Sequence, residues 1–141
     1  MYKWDSRFLS MAEEVGSWSK DPSTKVGAVV VRPDMTVAGV GFNGFPRGMV
    51  DNKELYADRE IKYARTIHAE INAILNSSDT LDCTLYCTHP PCTSCALIII
   101  QSGISRVVCY EPSDDLLSRW GDSISKTEGF FAEVEIEYCY G

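Results

Sequence analysis

CTLYCTHPPCTSCALIIIQSGISRVVCY, residues 83–110, decides the fold. Its opening CTLYCT (83–88) is rich in β-formers and reads as a strand. TSCALIIIQSG (93–103) reads as a helix with Gly103 near its end. SRVVCY (105–110) reads as a second strand. A strand, a helix and a strand in that order close as a parallel pair with a right-handed crossover. Downstream, SDDLLSRW (113–120) gives a short helix begun by a Ser/Asp cap, and AEVEIEY (132–138) alternates apolar and acidic residues. That alternation predicts a strand with one wet face, at a sheet edge.

Upstream, Asp5 is placed to cap a first helix, with Trp4 and Leu9 as a hydrophobic staple. Phe8, Met11, Ala12 and Val15 make its inner face, and Asp21-Pro22 follows its end. VGAVVV (26–31) is a nearly continuous apolar run, a buried strand. RPD (32–34) turns the chain, and TVAGVGF (36–42) returns as an antiparallel partner. A long connection at 43–64 follows, turn-rich first and then charged, with part of 54–64 helical; connections of this length are usually functional or mobile. The sum is an α/β chain: a three-layer α/β/α sandwich around one mixed five-stranded sheet, one domain over residues 1–141. In such sheets the reactive site lies beyond the strand carboxyl ends, where helix N-termini converge.

TIHAEINAIL (66–75) carries Ile67, Ile71, Ile74 and Leu75 at i, i+4, i+7 and i+8, the stripe of a helix packed on a core. Glu70 borders that stripe, and a carboxylate there needs a partner or a task.

The totals exclude several classes. With 141 residues, 45% hydrophobic and 23% charged, the composition is that of an ordinary globule. No apolar run reaches membrane-spanning length, and MYKWDSRFLS has no signal-peptide core, so a cytoplasmic location is expected. A net charge of −7 argues against a polynucleotide partner, while leaving room for a small anion held by a few local donors. Among the six cysteines, Cys83, Cys87, Cys109 and Cys139 fall in strand-like segments and read as small core residues.

Cys92 and Cys95 differ. Pro90 and Pro91 stiffen the approach to a helix start, and two thiols three apart in the first turn point the same way. The helix dipole there favours the thiolates that zinc requires. Together with His68-Ala69-Glu70 upstream, Pro91-Cys92-Thr93-Ser94-Cys95 completes the signature of zinc-dependent deaminases. His68, Cys92 and Cys95 then supply three ligands to Zn²⁺ and leave a fourth position for water, the pattern of a catalytic metal. Bound water becomes hydroxide near neutral pH. Glu70, close to the metal but not on it, carries the proton to the base ring and to the departing amine. A structural zinc closed by His89 or Cys87, and a redox C-x-x-C, are the competing readings of the same residues.

The chain resembles the cytidine and deoxycytidylate deaminase superfamily, and within it the deoxycytidylate branch. KDPSTKVGAVVV (20–31), GFNGFPRG (41–48) and HAEINAIL (68–75) carry the narrower match and stand in the family's order. The resemblance implies a cytidine-deaminase-like fold and hydrolysis of dCMP to dUMP and ammonia, supplying thymidylate synthesis. It implies substrate roles for Asn43, on the nucleotide sugar, and for the Ala69 backbone N–H, on the pyrimidine carbonyl. Lys25 or Arg47 would meet phosphate. The glycine-rich segment with Gly44, Arg47 and Gly48 is implied as an effector site for dCTP with Mg²⁺ or for dTTP, and a homo-oligomer, dimer or hexamer, is usual. YEPSDDLLSRWGDS (110–123) departs from the family's stretch there, which often offers a Tyr or His near the substrate phosphate; Tyr110 is the candidate substitute. A deaminase of another small cytosine nucleoside or base, an editing deaminase acting on a polymer, and a non-catalytic zinc-stabilised interaction domain are the alternatives.

Overall fold

The computed structural model describes residues 3–141. Eleven elements run along them: α1 (Lys3–Gly16), β1 (Gly27–Val31), β2 (Val37–Phe42), α2 (Lys53–Ala57), α3 (Arg59–Arg65), α4 (Ala69–Leu75), β3 (Thr84–Cys87), α5 (Thr93–Gln101), β4 (Arg106–Cys109), α6 (Asp114–Glu133) and β5 (Glu137–Tyr140). The strands form one mixed sheet in the order β2-β1-β3-β4-β5. β1 runs antiparallel to both β2 and β3, and β3, β4 and β5 are parallel. The expected five-stranded α/β architecture is the observed one, with β5 at an edge.

Strand alternation splits the core into two layers. Val29, Val31, Tyr86 and Val108 face Phe8, Leu9 and Ala12 of α1. Ala28, Val30, Leu85, Cys87, Val107 and Cys109 face Ala69 and Ala73 of α4, Ala96 and Ile99 of α5, and Phe131 of α6.

Local expectations fail at three places, each for a packing reason. Asp5 lies inside α1 and is buried: its carboxylate takes a bidentate pair from Arg106 of β4 at 2.7 and 2.8 Å and a hydrogen bond from the Tyr86 hydroxyl at 2.7 Å. Trp4 stacks on Phe8, not on Leu9, and Met11 turns outward. The isoleucine stripe of α4 packs on the core only at its edge: Ile71 and Ile74 lie partly buried against this layer. Ala69, Glu70 and Ala73 are buried, while Leu75 is 68% exposed. The small face goes inward because β2 offers glycines and the helix backbone lies directly on them. Asn72 and Asn76 seal the fit, donating at 2.8 Å to the Phe42 and Val40 carbonyls of that edge strand.

The third failure is the last helix. α6 is 20 residues long, far beyond the expected 113–120, because Ile124, Thr127 and Phe131 continue its inner face. Consequently the expected strand 132–138 is reduced to its last two residues: Ala132 and Glu133 end α6, Glu135 turns the chain at φ 59°, and β5 begins at Glu137. In the 43–64 connection, the expected helical part of 54–64 is observed as α2 and α3. Asn52 and Asp58 cap α2 and α3 by accepting from Leu55 and Ile61 N–H groups, and Gly44 pairs with Ile67 across a two-residue bridge. Among the described residues, no helix is long and apolar enough to cross a membrane.

Candidate active site

His68 and Cys92 are the N-caps of α4 and α5, and neither spends its side chain on capping. Both side chains are therefore free to turn toward each other beyond the carboxyl end of β3. His68 Nδ1 lies 3.2 Å from Cys95 Sγ and 3.6 Å from Cys92 Sγ, and all three ligand atoms fall within 4.8 Å of one another. A tetrahedral Zn²⁺ with bonds of about 2.0–2.3 Å needs its ligand atoms about 3.4–3.8 Å apart, so this donor set fits zinc with little movement. Among the described residues these three are the only such cluster of His, Cys, Asp or Glu. Cys87 and His89 are not in it.

The electrostatics agree with metal binding. The hydrogen bond from Cys95, then that from His68, pulls the Cys92 thiol below its ordinary range against the effect of burial. Cys95 moves the opposite way, mainly because it donates to Cys92 and is itself buried. Cys92 is thus the thiol of the pair that ionises first, and metal binding to such ligands releases protons. His68 is raised, first by its hydrogen bond with Cys92.

Glu70, in the first turn of α4, is only 4% exposed, and burial raises its carboxyl above the usual range. The charges of His68 and Cys92 and a hydrogen bond from Cys95 also act on it, so it stands beside the ligand set without joining it. The Ala69 N–H belongs to the same first turn, where helix geometry leaves backbone donors without intrahelical acceptors.

Asn43 comes to the same edge. The Gly44–Ile67 bridge is antiparallel and sets Asn43 opposite His68. Its side chain is locked: Oδ1 accepts from Val26 N–H at 2.9 Å and Nδ2 donates to the Thr24 carbonyl at 2.9 Å. Each atom keeps a further lone pair or proton for a ligand. Lys25, on the same loop, donates to the Ser19 carbonyl at 2.6 Å.

Three other expected residues lie elsewhere. Tyr110 packs on the α1 face and donates to Glu13 at 3.1 Å, away from the zinc layer. Arg47 donates to Asn76 at the C-terminal end of α4, the end opposite His68. Gly48 turns the chain there at φ 84°. The Gly44 N–H is occupied by Ile67.

A further group at this edge went unread in the sequence. Asp21 accepts from the Ser23 and Thr24 N–H groups at 2.9 and 3.1 Å and from Lys62 of α3 at 3.1 Å, with Lys62 also donating to Ser23. This knot ties the 20–25 loop, and with it Asn43's partners, to α3. The D-P-S-T run was its signal, since Asp before such residues builds an Asx turn.

Residues 2–111 match the family described as the cytidine and deoxycytidylate deaminase zinc-binding region. An uncharacterized deaminase in the luxG 3′ region of Aliivibrio fischeri is 51% identical over 98% of this chain and 93% of its own length. The deoxycytidylate deaminase of Homo sapiens is 36% identical over 80% of this chain and 70% of its own. A probable deoxycytidylate deaminase of Caenorhabditis elegans is 42% identical over 83%, but this chain spans only 62% of that protein. The crystal structure of dCMP deaminase from the cyanophage S-TIM5 superposes over the whole chain with a TM-score of 0.75 at 24% identity, a likeness of fold.

Proposed function

The chain belongs to the cytidine and deoxycytidylate deaminase family, and we propose that it is a zinc-dependent hydrolase converting dCMP to dUMP and ammonia, a step that feeds thymidylate synthesis. The observation that carries this reading is the buried Glu70 carboxylate standing against, but outside, the His68–Cys92–Cys95 cluster. Deoxycytidylate deaminases among the relatives support the choice of substrate.

Zinc held by these three side chains would supply a hydroxide nucleophile at neutral pH. The remaining work falls to the protein. Glu70 takes the proton from the attacking water and gives it to the ring nitrogen beside the reacting carbon. It then takes the proton of the hydroxyl now on that carbon and passes it to the amino group, so the carbonyl forms as the C–N bond breaks and ammonia leaves. Burial keeps that carboxyl basic enough to accept and return a proton. The Ala69 N–H would hold the pyrimidine carbonyl, and Asn43, already fixed by the 24–26 backbone, would meet the sugar.

Lys25 is the phosphate candidate at the catalytic edge, since Tyr110 is committed to Glu13. The loop with Gly44, Arg47 and Gly48 is assigned to an effector, dCTP with Mg²⁺ or dTTP, because Arg47 sits at the far end of α4 from the ligands. A homo-oligomer is supported by exposed Leu75, Leu97 and Ile98 on two helices whose outer faces carry no charge. The protein is assigned to the cytoplasm as one domain.

Zinc-loaded protein tests this with dCMP and deoxycytidine side by side, following loss of cytosine absorbance with and without dCTP and Mg²⁺. Turnover of dCMP alone supports the nucleotide reading. The orientation of Tyr110 favours a second reading, a nucleoside deaminase, which equal turnover of deoxycytidine would establish.

A further inference from the structure

A closed set of hydrogen bonds holds Asn43. Its carboxamide accepts from the Val26 N–H and donates to the Thr24 carbonyl, and its backbone N–H donates to the Val26 carbonyl at 3.3 Å. Its own carbonyl accepts from the Ser19 hydroxyl at 2.8 Å. Asp21 enters this set twice. Its N–H donates to the Ser19 hydroxyl at 3.2 Å, and its carboxylate holds the Ser23 and Thr24 N–H groups. That carboxylate is buried, and its cation comes from another element. Lys62 of α3, with its side chain only 12% exposed, donates to Asp21 at 3.1 Å and to the Ser23 hydroxyl at 2.8 Å. The backbone of Lys62 serves the other side of the site. Its carbonyl accepts from the N–H and the hydroxyl of Thr66, at 3.0 and 2.6 Å, and the chain then runs through Ile67, bridged to Gly44, into His68.

We propose that Lys62 is a positioning residue for Asn43, holding the carboxamide in register with the His68 segment through Asp21 and the 23–26 backbone. An ammonium carries three donors on one nitrogen, so it serves Asp21 and Ser23 together. Without that cation a buried carboxylate turns toward water, because its burial is no longer offset. The Ser23 and Thr24 N–H groups lose their fixed acceptor, and the Thr24 carbonyl that orients the Asn43 Nδ2 group moves with them. A carboxamide meets a sugar hydroxyl usefully in one orientation, and the residues around it set that orientation. Methionine keeps the unbranched stem of Lys62 and removes the charge, so it isolates the ion pair from the packing.

The inference rests on the deaminase reading above. Steady-state kinetics on zinc-loaded wild type, Lys62→Met, Asn43→Ala and the double variant, with zinc content and thermal midpoint measured on each, read the positioning effect. Lys62→Met is expected to keep its zinc at a somewhat lower midpoint. Its KM for dCMP should rise about tenfold, the size of a small misplacement of a binding group, with kcat within about twofold of wild type. In the double variant Lys62→Met should add nothing to the KM of Asn43→Ala, since it acts through that side chain. A wild-type KM in Lys62→Met, a loss confined to kcat, a loss of zinc, or independent effects of the two substitutions overturns the proposal.

Nuclear magnetic resonance of the Asn43 side-chain amide gives a readout independent of turnover and needs only Lys62→Met. In isotope-labelled protein that amide pair should shift, broaden and exchange faster with solvent in the variant. The Asn72 and Asn76 pairs, bonded to the Phe42 and Val40 carbonyls, should stay in place. An Asn43 pair unchanged in Lys62→Met overturns the positioning role. A zinc-replete wild type that deaminates neither dCMP nor deoxycytidine defeats the deaminase reading, and the amide resonances still decide what Lys62 does.

Discussion

Gly41 of β2 and Ala73 of α4 are packed so closely that a β-carbon on Gly41 would stand 2.3 Å from the Ala73 backbone nitrogen and 2.7 Å from the Ala69 carbonyl oxygen. Backbone cannot yield as a flexible side chain can. Only glycine lets the helix bearing His68 and Glu70 lie this near the sheet. Gly41→Ala is therefore expected to lift α4, destabilising the fold by about 1–3 kcal/mol and lowering zinc retention and turnover together. Denaturant unfolding and zinc analysis of the purified variant check this; a stable variant with full zinc would contradict it.

Glu70→Gln keeps the shape of the side chain and removes its proton transfer. Turnover of dCMP should fall by about 10²–10⁴-fold with the zinc content unchanged, because the residue stands outside the ligand set. Metal analysis alongside a long-incubation assay separates this outcome from simple metal loss.

Removing the metal should act on both stability and activity. A chelator leaves the His68, Cys92 and Cys95 ligand atoms within 4.8 Å of one another with no cation to hold them together. Turnover is expected to vanish and the thermal midpoint to drop. At free zinc 100-fold above its dissociation constant, the lost stabilisation is about 2.7 kcal/mol. Restored zinc should recover both, and Cys92→Ala should recover neither.

The Asp5–Arg106 pair lies on the α1 face, opposite the ligand layer, and Arg106 also reaches Glu137 of β5 at 2.7 Å. Asp5→Ala leaves a half-buried guanidinium without its main partner and should cost about 3–5 kcal/mol in urea unfolding. The kcat of the fraction that remains folded should match wild type. A changed kcat would mean that α1 communicates with the zinc layer.

Burial pushes the Asp21 carboxyl up, but the Ser23 and Thr24 N–H groups and Lys62 outweigh it and hold the group below the ordinary 3.8. The folded chain thus releases this proton more readily than the unfolded chain. The stability Asp21 contributes is complete above pH 3.8 and is lost as pH falls through its lower folded value. Asp21→Asn should flatten the acid limb of the stability curve below about pH 4. It should also raise KM, through a looser 20–25 loop, more than it changes kcat. Acid titration by circular dichroism and steady-state kinetics test the two halves.

The sequence by itself determined the mixed five-stranded sheet, with its hairpin and parallel crossovers, and which residues gather at His68, Cys92 and Cys95. Those rest on short-range patterns: strand and helix periodicities, two cysteines in one helical turn, a histidine and glutamate two apart. Such patterns act within a few residues and survive any tertiary arrangement. Which residues of α4 lie deepest was decided by the fit of alanines onto Gly41, a contact between segments some thirty residues apart, which leaves Ile71 and Ile74 only partly buried beside them. Asp5 read as a cap until Arg106, a hundred residues away, supplied its charge partner. Tyr110 and Arg47 were legible as residue types, but Glu13 and Asn76 decided where they point. Local pattern fixes what a residue can do; long-range packing chooses its partner, because burial leaves each polar group only the donors and acceptors that the fold brings within reach.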